Sequence, residues 1–278
     1  MRQELCLPCS ISDPWRMTVS QEDIKAAARR IELAAVSGEP CEPVRDLIRG
    51  DDVESAYAVQ EILKIRRVQG GDAVIGRKIG LTSQAVQAQL GVDQPDFGFL
   101  FASMAYTSGV TVPMARVMQP RVEAEIAFVL GEDLAHGPLD ATQVRRATDY
   151  VSPALEVCGS RIRNWDIQFG DTVADNASAG AYVLGSPRIA LDDLDPIGVE
   201  MTMSLDGEQV SEGTGAACLG DPIEAVVWLA RVSRDLGEPL RAGQVVLSGA
   251  LGPMRPVAAG QTVTADLTGL GSVTVSFA

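Results

Sequence analysis

The chain has 278 residues, 46% of them hydrophobic and 22% charged, with a net charge of −14. That length suits one large domain or a core with an appendage, and the charge excludes a general binder of nucleic acid or anionic membrane. No apolar run nears the roughly 20 residues of a membrane span and MRQELCLPCSISDPWRMTVS lacks an apolar signal core, so a soluble, cytoplasmic protein is expected.

Met17 sits just before a good helix start, so residues 1–16 read as an upstream extension. The extension carries Cys6 and Cys9 in a CLPC pair; with no second such pair and one histidine in the chain, it reads as accidental. The five scattered cysteines, Cys6, Cys9, Cys41, Cys158 and Cys218, give no disulfide framework. Ser20 is placed to cap a helix through about Val36, which Gly38 and Pro40 end. A second helix is expected over about 53–68, with Ala56, Val59, Ile62, Leu63 and Ile65 as its apolar stripe. The run Gln69-Gly70-Gly71-Asp72 then divides a helical region, 17–70, from a strand-rich region, 71–278.

DAVIGRKIGL reads as a strand, TSQAVQAQLG as a short helix and QPDFGFL as a loop. Strands are expected near 105–112, 121–131 and 151–158, with a helix near 140–149. Later strands fall near 180–185, 198–205 and 208–212, the last two joined at Asp206-Gly207 in a hairpin. DPIEAVVWLARVSRDLG is an amphipathic helix that starts at Asp221-Pro222 and stops at Gly237. Strands at 244–248, 261–267 and 272–277 finish the chain. Few helices cross between the late strands, so the fold class is α+β with a mainly antiparallel or mixed β core.

Chemistry is concentrated in PRVEAEIAFVL, residues 120–130. On a strand, Glu123 and Glu125 share one face, roughly 7 Å apart. A solvated face, or ion pairs with Arg121 or Arg161, would account for them. So would a hard-cation site, with Glu156 of the apolar ALEVCGSRI strand as third ligand. Three carboxylates without His or Cys favour Mg²⁺ or Mn²⁺ over zinc. Lys78 lies between Gly76 and Gly80 and faces away from Arg77. Such a lysine is an exposed charge, or holds a carboxylate, or moves protons if its pKa is lowered. Asp96 reads locally as a turn residue. Asp171, Asp175, Asn176 and Ser178 are placed to cap a helix or touch a ligand. Ser248 and Gly249 are expected at a strand end, where backbone amides receive an anion. His136, the sole histidine, sits in loop-like LAHGPLD, so a Ser-His-Asp triad is not expected.

Taken in order, GRKIGLTS, QPDFGFLFASM, QPRVEAEIAFVL, ALEVCGSRIRNWDIQFGDTVADNASAG and LGEPLRAGQVVLSGALGP resemble the 2-hydroxypenta-2,4-dienoate hydratases (2-keto-4-pentenoate hydratases). These belong to the fumarylacetoacetate hydrolase-like superfamily, and the resemblance runs from about Met17 to the C-terminus. It implies a helical N-terminal region on a mixed β-roll core. It also implies a divalent metal held by Glu123, Glu125 and Glu156, and a small 2-hydroxydienoate substrate from the meta-cleavage of aromatic compounds. Lys78 and Asp96 fall at positions that line the family site, and Ser178 at one near substrate. A homo-oligomer, built on pentameric rings, is part of what it implies.

A 4-oxalocrotonate decarboxylase shares the metal logic; Asp96 within QPDFG favours the hydratase branch of the resemblance. An acylpyruvate-type C–C hydrolase typically uses a His-assisted water, and this chain has no suitable histidine. A metal-binding scaffold without turnover would have no need of Lys78 and Asp96.

Overall fold

Helix α1 (Gln21–Ser37) begins where Ser20 accepts a hydrogen bond from the Asp23 amide and ends where Gly38 turns left-handed at φ 74°. Both are the devices read from the sequence. The computed structural model describes residues 19–83, 87 and 92–278. The CLPC pair and nearly all of the expected TSQAVQAQLG helix lie outside the described residues. A short helix, α2 (Arg45–Ile48), precedes α3 (Val53–Gln69), which Asp52 caps through the Ser55 amide.

The expected stripe of α3 is only partly right. Ile65 is 43% exposed, whereas Gln60 and Lys64 are buried. Burial of these polar groups is tolerable because each is satisfied. The Gln60 amide donates to the carbonyls of Phe97 and Val173. The Lys64 ammonium lies 2.7 Å from Glu61 and 2.5 Å from Glu238 and over the Phe99 ring. The three helices share a core with Phe169 and Val173, which belong to a distant helix described below.

Among the described residues, the strands form two sheets. The larger contains β1 (Val74–Gly80), β2 (Asp96–Phe101), β3 (Ala105–Thr107), β5 (Arg121–Leu130), β6 (Thr148–Cys158), β7 (Ala179–Leu184), β10 (Val245–Ala250) and β11 (Arg255–Pro256). Its order is β2-β1-β10-β5-β6-β7-β3, with β11 added alongside β5. The smaller contains β4 (Thr111–Val112), β8 (Glu200–Leu205), β9 (Glu208–Thr214), β12 (Thr262–Leu267) and β13 (Gly271–Phe277), in the order β4-β13-β12-β8-β9. Both sheets mix parallel and antiparallel pairs, and their apolar faces merge into one core. Helices α4 (Ala141–Ala147), α5 (Phe169–Ala174) and α6 (Pro222–Asp235), with short 3-10 turns between elements, make this an α+β arrangement. Among the described residues, no helix is long and apolar enough to cross a membrane.

QPDFGFL is not a loop. Asp96–Phe101 is a strand buried along its whole length and paired antiparallel with β1. Pro95 and Gly98 suggested a turn, but Gly98 serves close packing. A Cβ there would run into the Asn176 carbonyl. The Asn176 side chain grips the same strand, accepting from the Phe99 amide at 2.8 Å and donating to the Phe99 carbonyl at 2.9 Å. The hairpin at Asp206-Gly207 is as expected, with φ of 52° and 84°.

Candidate active site

The site begins with strand register. Glu123 on β5 and Glu156 on β6 sit directly opposite each other in the antiparallel ladder. Like charges in that position repel. Glu125 follows on the same face of β5 and is fully buried; its carboxylate accepts the Gly249 amide at 2.7 Å. Lys78, on β1, extends its ammonium to 3.2 Å from Glu156 Oε1. It also donates to the Ala177 carbonyl at 3.0 Å. Asp96, first residue of β2, stands beside Gly80 of β1 in the ladder. A Cβ at Gly80 would collide with Asp96 Oδ1 and lie 3.2 Å from Lys78 Nζ, so glycine keeps these two side chains together.

Residues 176–178 shape the opposite wall. Asn176, Ala177 and Ser178 all have left-handed backbone, with φ of 56°, 49° and 55°. For Ala and Ser that conformation costs about 1–2 kcal/mol each. The Asn176 grip on β2 and the Lys78 bond to Ala177 hold the turn in place. Ser178 lines the cavity and shares a hydrogen bond with Thr172 at 3.1 Å. Asp171 and Asp175, the other candidates in this stretch, are spent on structure. Asp171 accepts the Val44 and Arg45 amides and pairs with the Arg45 side chain at 2.9 Å. Asp175 pairs with Arg161.

These elements surround a cavity of about 630 Å³. Lys78, Asp96, Glu123, Cys158, Thr172 and Ser178 give it polar lining, and Trp165, Ile167, Leu251 and Met254 apolar lining. Arg121 also borders it, stacked 4.4 Å from the Trp165 ring. Neither Arg121 nor Arg161 pairs with the glutamates, so ion pairing with those arginines does not explain the carboxylates. Ser248 and Gly249 lie within β10 rather than past its end, and neither lines the cavity. The Gly249 amide receives an anion, but the anion is Glu125. His136 is exposed, on the loop before α4, and does not line the cavity.

One cation faces a crowd of carboxylates, and the proton affinities follow. Burial, then repulsion from Glu156, raises Glu123 from 4.5 to about 7. The same causes hold Glu125 well above its ordinary value. Burial raises Asp96 to about 6 although Lys78 opposes the shift. Burial alone would lower Lys78, but its carboxylate neighbours, Glu156 first, outweigh burial and hold it well above the ordinary lysine value. A lowered lysine pKa is therefore not what this surrounding favours.

Both Glu156 oxygens and Oε1 of Glu125 are buried without a hydrogen-bond donor. The Lys78 contact with Glu156 is close enough for an ion pair but not aligned as a hydrogen bond. Buried, unpartnered carboxylate oxygens are costly and fit a hard divalent cation. Glu123 and Glu156 are brought together as expected, while Glu125 sits one step deeper. Sequence reasoning missed Cys158. Its Sγ donates to Glu123 Oε1 at 3.5 Å. It follows Glu156 by two residues on β6, so the same alternation that paired Glu123 with Glu125 would have found it.

A linked titration is expected. Between pH 4.5 and about 7 the folded metal-free chain keeps a proton on Glu123 that the unfolded chain has released. Its stability therefore falls as pH rises through that window. Thermal melts in EDTA should show this fall. Saturating Mn²⁺ should flatten it, since a bound cation takes the proton's place. Parallel pH profiles with and without Mn²⁺ would count against the cluster as drawn.

A profile of the fumarylacetoacetate (FAA) hydrolase C-terminal family matches residues 67–278. The chain belongs to the FAA hydrolase family. Two relatives are more specific. TodF product hydratase of Pseudomonas putida is 54% identical over 92% of this chain and 95% of its own length. A 2-keto-4-pentenoate hydratase of Paraburkholderia xenovorans is 52% identical over 94% and 96%. A solved FAA hydrolase-like structure, 4-oxalocrotonate decarboxylase from Pseudomonas putida G7 complexed with magnesium and adipate, aligns with a TM-score of 0.89 at 34% identity. It covers 94% of this chain and 99% of that one.

Proposed function

We propose that this chain is a hydro-lyase that hydrates 2-hydroxypenta-2,4-dienoate, or a close alkyl analogue, to 4-hydroxy-2-oxopentanoate. The higher identity to hydratases than to the decarboxylase supports that choice. The observation that carries it is a pair lining the cavity: Lys78, whose carboxylate neighbours favour its charged form, beside Asp96, whose pKa burial raises to about 6. Hydration needs a proton delivered to carbon, a proton taken from water and a second delivered to carbon. A carboxyl poised near neutrality can work in both directions. Decarboxylation releases CO₂ and needs no activated water.

Glu123, Glu125 and Glu156 would hold Mg²⁺ or Mn²⁺ beside the carboxylate and C2-oxygen end of the substrate. When bound, the cation supplies a Lewis acid that favours negative charge on that oxygen. In ketonisation the Asp96 carboxylate takes the enol proton from the C2 oxygen and delivers it to C5, so that it is a carboxylate again. The Asp96 carboxylate then takes a proton from water as its oxygen bonds to C4, and returns that proton to C3. Lys78 offsets the enolate charge between the last two steps. Ser178 orients the substrate, and the apolar lining of Ile167, Leu251 and Met254 receives C5 and any alkyl group on it. Gly249 supports the site indirectly, through its amide bond to Glu125. Assembly into a homo-oligomer acting on a small molecule belongs to the same reading.

The test follows absorbance of freshly generated 2-hydroxypenta-2,4-dienoate with Mg²⁺, Mn²⁺ or EDTA, with mass analysis of the product. Metal-dependent loss should give 4-hydroxy-2-oxopentanoate. Asp96→Asn should slow it by about 100- to 10,000-fold while leaving Mn²⁺ bound. Release of CO₂ from 2-oxohex-3-enedioate, without hydration of the dienoate, would make the chain a decarboxylase instead.

A further inference from the structure

We propose that the carboxylate cluster has a second metal-binding mode, in which Cys158 joins Glu123 and Glu156 to hold a thiophilic divalent cation such as Zn²⁺ or Cd²⁺. It rests on reading the glutamates as metal ligands. One ligand atom from each of the three residues lies within 4.8 Å of the others. The arrangement is built into the ladder. Cys158 and Glu156 alternate onto one face of β6, and Glu123 faces Glu156 across the β5–β6 pairing. Both oxygens of fully buried Glu156 lack a hydrogen-bond partner, so the cluster is short of a positive group rather than of another acceptor.

Ion softness separates the two modes. Mg²⁺ and Mn²⁺ prefer oxygen, and toward them the Cys158 thiol stays a donor to Glu123. Zinc-like ions gain from sulfur and accept four ligands, three here from protein and one from water. As the cation–sulfur bond forms, the S–H proton leaves to water in the cavity that Cys158 lines. No electron changes hands. The same carboxylates would thus serve either ion, but the thiophilic ion would be drawn toward β6 and away from Glu125.

The test titrates metal-free full-length protein carrying C6S and C9S, which removes the CLPC pair, with Cd²⁺. Thiolate-to-cadmium charge transfer is read in the ultraviolet. One saturating band per chain is expected, suppressed by excess Mn²⁺. Adding C158S should remove the band and lower Cd²⁺ affinity by at least about 10-fold, with Mn²⁺ binding retained by EPR. X-ray absorption of the cadmium-loaded parent should count one sulfur neighbour, a result independent of how the variant folds. No band or sulfur neighbour in a parent that still binds Mn²⁺, or a full band in the C158S protein, overturns the proposal and leaves the metal reading standing. Failure of both ions to bind overturns the metal reading itself.

Discussion

Lys78→Met should lower turnover of the dienoate by about 100- to 10,000-fold and at the same time tighten Mn²⁺ binding. The two effects have one origin. The Lys78 ammonium lies 3.2 Å from Glu156 and, among the described residues, is the cation set against these buried glutamates. It therefore competes with a metal ion for their charge and repels it. Removing it frees Glu156 for the metal but leaves the enolate without its second positive group. The metal-free variant should melt lower than the parent, because breaking a buried ion pair leaves charge uncompensated. Mn²⁺ should recover more stability in the variant than in the parent. Kinetics, an EPR titration and melts with and without Mn²⁺ read the three effects. General damage to the fold would lower turnover and metal affinity together, so parallel losses would sink this account of Lys78.

Glu156→Gln should do the opposite to metal. Both Glu156 oxygens are buried and without donors, and the residue faces Glu123 across the ladder. Glutamine keeps the size and removes the charge. Mn²⁺ affinity should fall by more than the about 10- to 100-fold that loss of an outer-shell partner costs, and dienoate turnover with it. A second sign should appear in the free protein. After burial, repulsion from Glu156 is what raises Glu123 and Glu125. The pH window over which the metal-free chain loses stability should therefore shift downward in the variant. Unchanged Mn²⁺ affinity would remove Glu156 from the site.

Periodicity made the amphipathic helices legible. Ser20 and Asp221 cap the helices they were expected to start, and Asp52 caps α3. Strand alternation likewise put Glu123 and Glu125 on one face and sent Arg77 and Lys78 apart. Arg77 reaches Glu238 while Lys78 reaches Glu156. What alternation cannot reveal is which strands neighbour each other. The meeting of Lys78, Asp96 and Glu156 depends on three strands from separate parts of the chain, and only the family resemblance grouped them in advance. Gly98 looked like a turn residue because its partner, the Asn176 carbonyl, is 78 positions away. Asp171 and Asp175 looked as promising as Ser178, since sequence does not show which side chains are already engaged by Arg45 and Arg161. Ile65 was counted in a stripe by residue type, whereas long-range partners decided that Lys64 and Gln60 go inward.

The place of β10 constrains how this protein is made. Residues 245–250 are near the C-terminus, yet they lie between β1 and β5 in the middle of the larger sheet. β10 also brings Gly249 to Glu125. A growing chain on the ribosome thus exposes β1 and β5 before the strand that joins them exists. Their unpaired edges must wait for a partner made more than a hundred residues after β5, a long-range closure of the kind that slows folding and exposes strands to aggregation. Until that strand arrives, Lys78 and the glutamates belong to separate pieces of sheet, so a chain shortened before Val245 should accumulate as an insoluble or chaperone-bound species.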